Sequence, residues 1–193
     1  MAKLLTSTWE QVDTIAPKGF HDLTVWDDII VSPGTIQGGT ARPDKITLVG
    51  NIDAYGFNGA STTEEMSGEF EIPHDYKEGT DLRPHIHWCA SNANAGNVKW
   101  QLEFTHAGVG EAFPAVTTTT VVDATTEVDR AHLIVEFDDL ITGTGITIGE
   151  TFGIRIFRDP TESEDTYGSD AIFLSLGFHY EIDGDGSRGV FTK

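Results

Sequence analysis

Along most of this chain, apolar and polar residues alternate with the period of two expected of a strand that buries one face. The longest run lies near the end. Ile172, Leu174, Leu176, Phe178, Tyr180 and Ile182 take every second position, with Ser175, Gly177, His179 and Glu181 between them. This spacing predicts one continuous strand forming a wall of a two-layer core. Val98, Trp100, Leu102 and Phe104 alternate with Lys99, Gln101 and Glu103 in the same way. Phe70 and Ile72 alternate with Glu69 and Glu71 until Pro73, which cannot donate to a strand ladder. Shorter strands are predicted at 46–49, 84–90, 117–122, 133–137 and 152–158, the 117–122 segment on its β-branched residues. Asn94, Gly96 and Asn97 read as a hairpin turn between the strands on either side. The one helix signal is a single capped turn over 61–66.

About eight short strands with Gly, Pro and Asp turns predict an all-β fold, a single antiparallel β-sandwich or jelly roll. Its expected span is 36–193. Residues 1–35 read differently, as a partly extended N-terminal arm. Trp9, Phe20 and Trp26 are irregularly spaced there among polar residues, punctuated by Pro17, Gly19, Pro33 and Gly34. These aromatics either close the domain's own core or anchor the chain on a neighbour. On the second reading, removing the first thirty or so residues leaves a folded domain that no longer assembles.

Charge narrows the partners. Against 12 Lys and Arg stand 31 Asp and Glu, a formal net charge of −19. Such a chain repels phosphate backbones and anionic lipid, so neither nucleic acid nor a membrane is an expected partner. A basic protein surface is a better match. The single cysteine, Cys89, excludes an intrachain disulfide. No apolar run has the length to cross a bilayer, and the first residues lack the apolar core of a signal peptide, so synthesis in a cytoplasm is expected.

The chemistry worth testing centres on His85 and His87. Two residues apart in a strand, they share a face, with Ile86 and Trp88 on the other. Gly79, five residues, then His85-x-His87 matches the opening of the cupin metal motif. The Glu that should follow is replaced by Ser91 and Asn92. The companion Gly-rich motif is absent, since Val116 stands where a Gly is required. His106, His132 and His179 are the further imidazoles that can complete a metal set. Against this stands a polar, hydrogen-bonded sheet face with no metal and no cofactor, which is the expectation. Asp183, Asp185 and Ser187 imitate a calcium loop, but Arg188 occupies the position that requires Gly. Glu162, Glu164, Asp165 and Asp170 read as a solvated acidic loop. No Gly-x-Ser-x-Gly elbow or phosphate loop occurs, and Cys89 in a strand reads as a small buried residue. No catalytic residue is therefore expected. Arg155 and Arg158 read as a buried Arg–carboxylate pair at a sheet end or as a subunit contact.

Three segments carry a resemblance: Pro73 through Tyr76, Gly79 and Pro84 to Trp88; Gly96 through Trp100, Glu103 and Phe104, with Phe113 and Pro114; and Arg155, Arg158 and Pro160, then Tyr167, then Phe178 to Tyr180 and Ser187. Together they span about 46 to 190, and in this order they resemble a group of tailed-bacteriophage and prophage virion structural proteins. The resemblance implies a particle component without defined chemistry. The expectation is a non-enzymatic capsid decoration (cement) protein on the head surface. It would form a homotrimer, contact the major capsid protein or other virion proteins, and use Trp9, Phe20 and Trp26 as anchors. Two alternatives are a tail or fibre-tip protein that stacks host glycan on Tyr55, Phe57 and Phe173, and a cupin-type metalloenzyme with His85 and His87 as ligands.

Overall fold

The computed structural model describes residues 24–32, 37–38, 41–60, 62–187 and 189. Eleven strands and no helix occur among them: β1 Val25–Val31, β2 Gln37–Gly38, β3 Asp44–Val49, β4 Ile52–Phe57, β5 Glu64–Glu71, β6 Arg83–Ala90, β7 Asn97–Ala107, β8 Thr117–Ala124, β9 Leu133–Glu136, β10 Thr151–Arg158 and β11 Ala171–Ile182. They form two antiparallel sheets. The six-stranded sheet runs β3-β4-β11-β6-β9, with β1 also paired to β11. The five-stranded sheet runs β2-β5-β10-β7-β8. The protein is an all-β sandwich of jelly-roll type.

Alternation builds the core as the pattern requires. Ile86 and Trp88 of β6, Leu176 and Phe178 of β11, Val98, Trp100 and Leu102 of β7, and Ile154 and Ile156 of β10 meet in one buried cluster between the sheets. Each such side chain contributes about 1.5–3 kcal/mol by leaving water. Aromatic edges fill the middle, with Trp100 against Phe57 at 5.2 Å and against Trp88 at 6.1 Å.

The longest strand departs from the simple pattern. Its pairing with β6 shifts between Phe173 and Ser175, a bulge that leaves Leu174 as the extra residue. A one-residue slip exchanges the faces of a strand. Leu176 and Phe178 point into the main core, but before the bulge the inward residues are Ala171 and Phe173. Ile172 and Leu174 instead pack on the opposite face with Ala54 and Cys89.

Three local expectations are corrected. Residues 91–96 are no hairpin, because β6 and β7 belong to different sheets and the turn carries the chain across the sandwich. Glu64, Glu65 and Met66 open β5 rather than a helical turn, with Met66 buried in the core. The six-stranded sheet begins at Val25, inside the stretch read as an arm, since β1 pairs with β11 from Val25↔Ile182 to Val31↔Leu176.

Candidate functional site

The outer face of the six-stranded sheet gathers four of the chain's seven histidines. Since Ile86 and Trp88 of β6 point inward, His85 and His87 point outward, and their rings lie 5.3 Å apart. The same-face expectation holds. Antiparallel register supplies the rest. His85 is opposite Gly177 on β11, Arg83 is opposite His179, and His179 is opposite Asp28 on β1. Gly177 has no side chain to obstruct the His85 ring; a Cβ there would sit 2.3 Å from His85 Nε2. The ring therefore lies across β11, stacked on His179 with centroids 4.1 Å apart, and its Nε2 comes within 3.4 Å of Asp28 Oδ2. His179 Nε2 is 4.0 Å from the same oxygen. The other carboxylate oxygen, Asp28 Oδ1, accepts a hydrogen bond of 3.0 Å from the backbone N–H of Phe178 and is thereby fixed.

His87 belongs to a second pair. Its Nδ1 is 2.8 Å from His132 Nε2, with the two rings stacked. Arg83 beside them binds Glu136 through two hydrogen bonds of 2.9 and 2.7 Å and lies 5.8 Å from the Trp26 ring. Burial lowers the His85 pKa, opposed by the Asp28 carboxylate. Burial also lowers that of His87, helped by the neighbouring imidazoles His85 and His132. Both shifts favour the neutral ring. The cupin expectation placed His85 and His87 together as ligands. The structure brings His85 to Asp28 and His179 instead, and turns His87 to His132. Sequence reading named His179 as a further imidazole but did not single out Asp28. Its signal was an Asp27–Asp28 pair interrupting an apolar segment.

Other expected residues fall elsewhere. Trp9 and Phe20 lie outside the described residues. Trp26 is 45% exposed on β1, beside Ile30 at 50%. Cys89 is buried on the histidine face among Ala54 and Ile172, and burial pushes its thiol up to about 11. At pH 8 roughly one thiol in a thousand is then thiolate. Alkylation at pH 8 is expected to be at least about 100-fold slower in the folded chain than after denaturation; comparable rates would show an exposed cysteine. Phe57 and Phe173 are fully buried, so only Tyr55 of the three proposed sugar-stacking rings reaches the surface in part. Tyr55 lines a groove of about 430 Å³ with Lys45, Leu48, Asp53 and Leu174.

In the acidic loop after β10, Glu162 and Glu164 are exposed to solvent as expected, yet both pair with a lysine, and Asp165 is buried. Lys99 Nζ reaches Glu164 at 2.8 Å and Glu162 at 3.5 Å. Arg158, fully buried at the end of β10, grips Asp165 through two 2.8 Å hydrogen bonds and donates to the carbonyls of Phe57, Ser169 and Tyr167. The buried-pair reading of Arg158 holds. Arg155 on the outer face of the five-stranded sheet bridges Glu65 and Glu103.

No protein-family model and no curated protein sequence matches the chain. Solved structures share the architecture at low identity. One is the CBM36-1 domain of a multidomain xylanase from the hindgut metagenome of Trinervitermes trinervoides, 12% identical over 83% of this chain and 100% of that one, with a TM-score of 0.45. Another is a family 35 carbohydrate binding module from an environmental isolate, 10% identical over 82% of this chain and 94% of that one, at 0.46. A chain of infectious bursal disease virus Gx strain is 10% identical, covers 89% of this chain and 35% of its own, and scores 0.42. Such likeness concerns the sandwich alone; ligands and partners do not transfer across it.

Proposed function

We propose that the protein is a non-enzymatic virion structural component of a tailed bacteriophage, a homotrimeric β-sandwich that decorates the capsid exterior. The observation that carries the reading is the outer face of the six-stranded sheet. Trp26, Ile30 and Ile134 protrude from it at 45%, 50% and 56% exposure. They flank the histidine cluster on that face. Apolar side chains grouped on one face favour protein contact, and β1 adds backbone groups along one flank of the sheet.

The residues that carry the phage resemblance support the same reading through what they are occupied with. Arg158 holds Asp165, Arg155 holds Glu103, Trp88 Nε1 donates to Asp123, and the Tyr76 hydroxyl donates to the Thr80 carbonyl. These four are separate struts of the scaffold, while His85, His87 and His179 of the same segments gather on the outer face of the six-stranded sheet. The glycan-binding alternative has less to build on, because two of its three aromatic rings are in the core.

The test replaces Trp26 and Ile30 together by Lys. Both side chains are exposed, so circular dichroism should be unchanged. Light scattering should report a monomer where the parent chain is a trimer, and the variant should be missing from assembled particles. A variant that stays trimeric and joins particles normally, or a parent chain absent from electron-microscopy maps of those particles, overturns the proposal.

A further inference from the structure

We propose that Asp28, His85 and His179 form a binding site for a divalent first-row transition-metal ion of the zinc type, pinning β1 to β11 and β6. One ligand atom from each of these residues lies within 4.8 Å of the others. His85 supplies an independent indication. Its side chain is 2% exposed, yet Nε2 makes no hydrogen bond among the described residues. A buried ring nitrogen without a hydrogen bond is costly, and this one lies 3.4 Å from Asp28 Oδ2. The other ring nitrogen, Nδ1, lies 3.4 Å from the Arg83 carbonyl, the kind of contact that sets the tautomer of a metal-ligating histidine and leaves the Nε2 lone pair free.

The spacing fits a small ion. Ligands bonded at about 2.0–2.1 Å in a tetrahedron stand roughly 3.3 Å apart. His85 Nε2 and Asp28 Oδ2 are already 3.4 Å apart, and His179 Nε2 is 4.0 Å from that oxygen. The stack of the two rings, only 18° from parallel, keeps their lone pairs side by side instead of converging. His179, 42% exposed, is the ring with room to turn. Binding is therefore expected to unstack it while His85 stays on Gly177. Two imidazoles and one carboxylate suit zinc and its first-row neighbours, whereas calcium and magnesium require oxygen ligands throughout. Three protein ligands leave a fourth position open to water or to a group from a neighbour.

The site does not depend on the assembly reading. Zinc chloride is titrated into the untagged full chain by calorimetry, alongside His179→Ala, Asp28→Asn and His132→Ala. Asp28→Asn keeps an oxygen for the Phe178 N–H, and His179 is exposed, so both variants should fold. The parent chain is expected to bind one ion, with a rise in melting temperature that chelator reverses. His179→Ala and Asp28→Asn should weaken binding by more than the roughly 10–100-fold that a lost supporting contact costs, and His132→Ala should leave it unchanged. The His179 ring signals should shift in NMR spectra of the parent chain. The Trp26→Lys, Ile30→Lys chain should still bind zinc, which separates this proposal from the trimer. No binding by the parent chain, binding that survives His179→Ala and Asp28→Asn, or binding that His132→Ala abolishes overturns it.

Discussion

Arg158→Ala is expected to cost about 3–5 kcal/mol, the loss seen when one partner of a buried ion pair is removed. Against a typical total of roughly 5–15 kcal/mol this leaves the chain marginal or unfolded. The guanidinium is fully buried and spends its donors on Asp165 and on the carbonyls of Phe57, Ser169 and Tyr167. Its removal leaves a buried carboxylate without its counter-ion and takes a donor from three backbone carbonyls at once. Replacing both charges, as in Arg158→Met with Asp165→Leu, is often neutral for an isolated buried pair. It should fail here. The three carbonyls lose the donors that the guanidinium supplied, and the Lys99 N–H, which donates to Asp165 Oδ2 at 3.1 Å, loses its acceptor. Arg158→Lys should also fall short, because an ammonium cannot reproduce the two-pronged grip on Asp165. Urea denaturation of the three variants checks this. A double variant as stable as the parent chain would mean the lock has no backbone role.

How much of this was legible in advance follows from which interactions are local. Period-two alternation, with the apolar run at 46–49 and the β-branched run at 117–122, located eight of the eleven strands, because burial of one face writes itself directly into the sequence. β4 escaped because its outward positions, Ala54 and Gly56, are small instead of polar. At Gly56 a Cβ would lie 2.6 Å from the end of the Ile46 side chain, which would have to shift. β1 escaped because Asp27 and Asp28 interrupt an otherwise apolar segment. The 91–96 turn was visible as a turn, yet turn residues do not say which sheet the next strand joins. The bulge at Leu174 was invisible for a similar reason. An uninterrupted alternation carries no mark of the partner's register.

The site shows the same division. That His85 and His87 share a face is a two-residue statement and could be read directly. That His85 meets Asp28 and His179 depends on β1, β11 and β6 lying side by side, with their residues separated by up to 151 positions in the chain (179 − 28 = 151). The same non-local pairing that hid the acid from sequence reading gives it a structural role. Asp28 sits on the first described strand and faces two imidazoles from strands much later in the chain.

Removing residues 1–31 is therefore expected to do more than detach an arm. It deletes all of β1, and with it the seven paired positions along β11. Val31 is 3% exposed and Ile29 packs against the main core, so their loss alone is worth about 3 kcal/mol or more. Leu176 and Phe178 would lose the partners of backbone groups that face β1, the Phe178 N–H among them, and such an edge invites pairing with other chains. The expected product is aggregated or strongly destabilised, with a lower melting temperature and, on the metal proposal, no zinc site. A cut that removes only residues 1–23 leaves every described strand pair in place. That shorter deletion takes away Trp9 and Phe20 while keeping Trp26 on the sheet, so it asks whether the two leading aromatics hold the protein on a particle. A folded chain that no longer joins particles makes them anchors. Normal incorporation assigns the contact to Trp26 and the sheet face. If instead the 1–31 deletion melts like the parent chain, the pairing of β1 with β11 contributes nothing to stability, and both the interface and the ion site built on that strand must be abandoned.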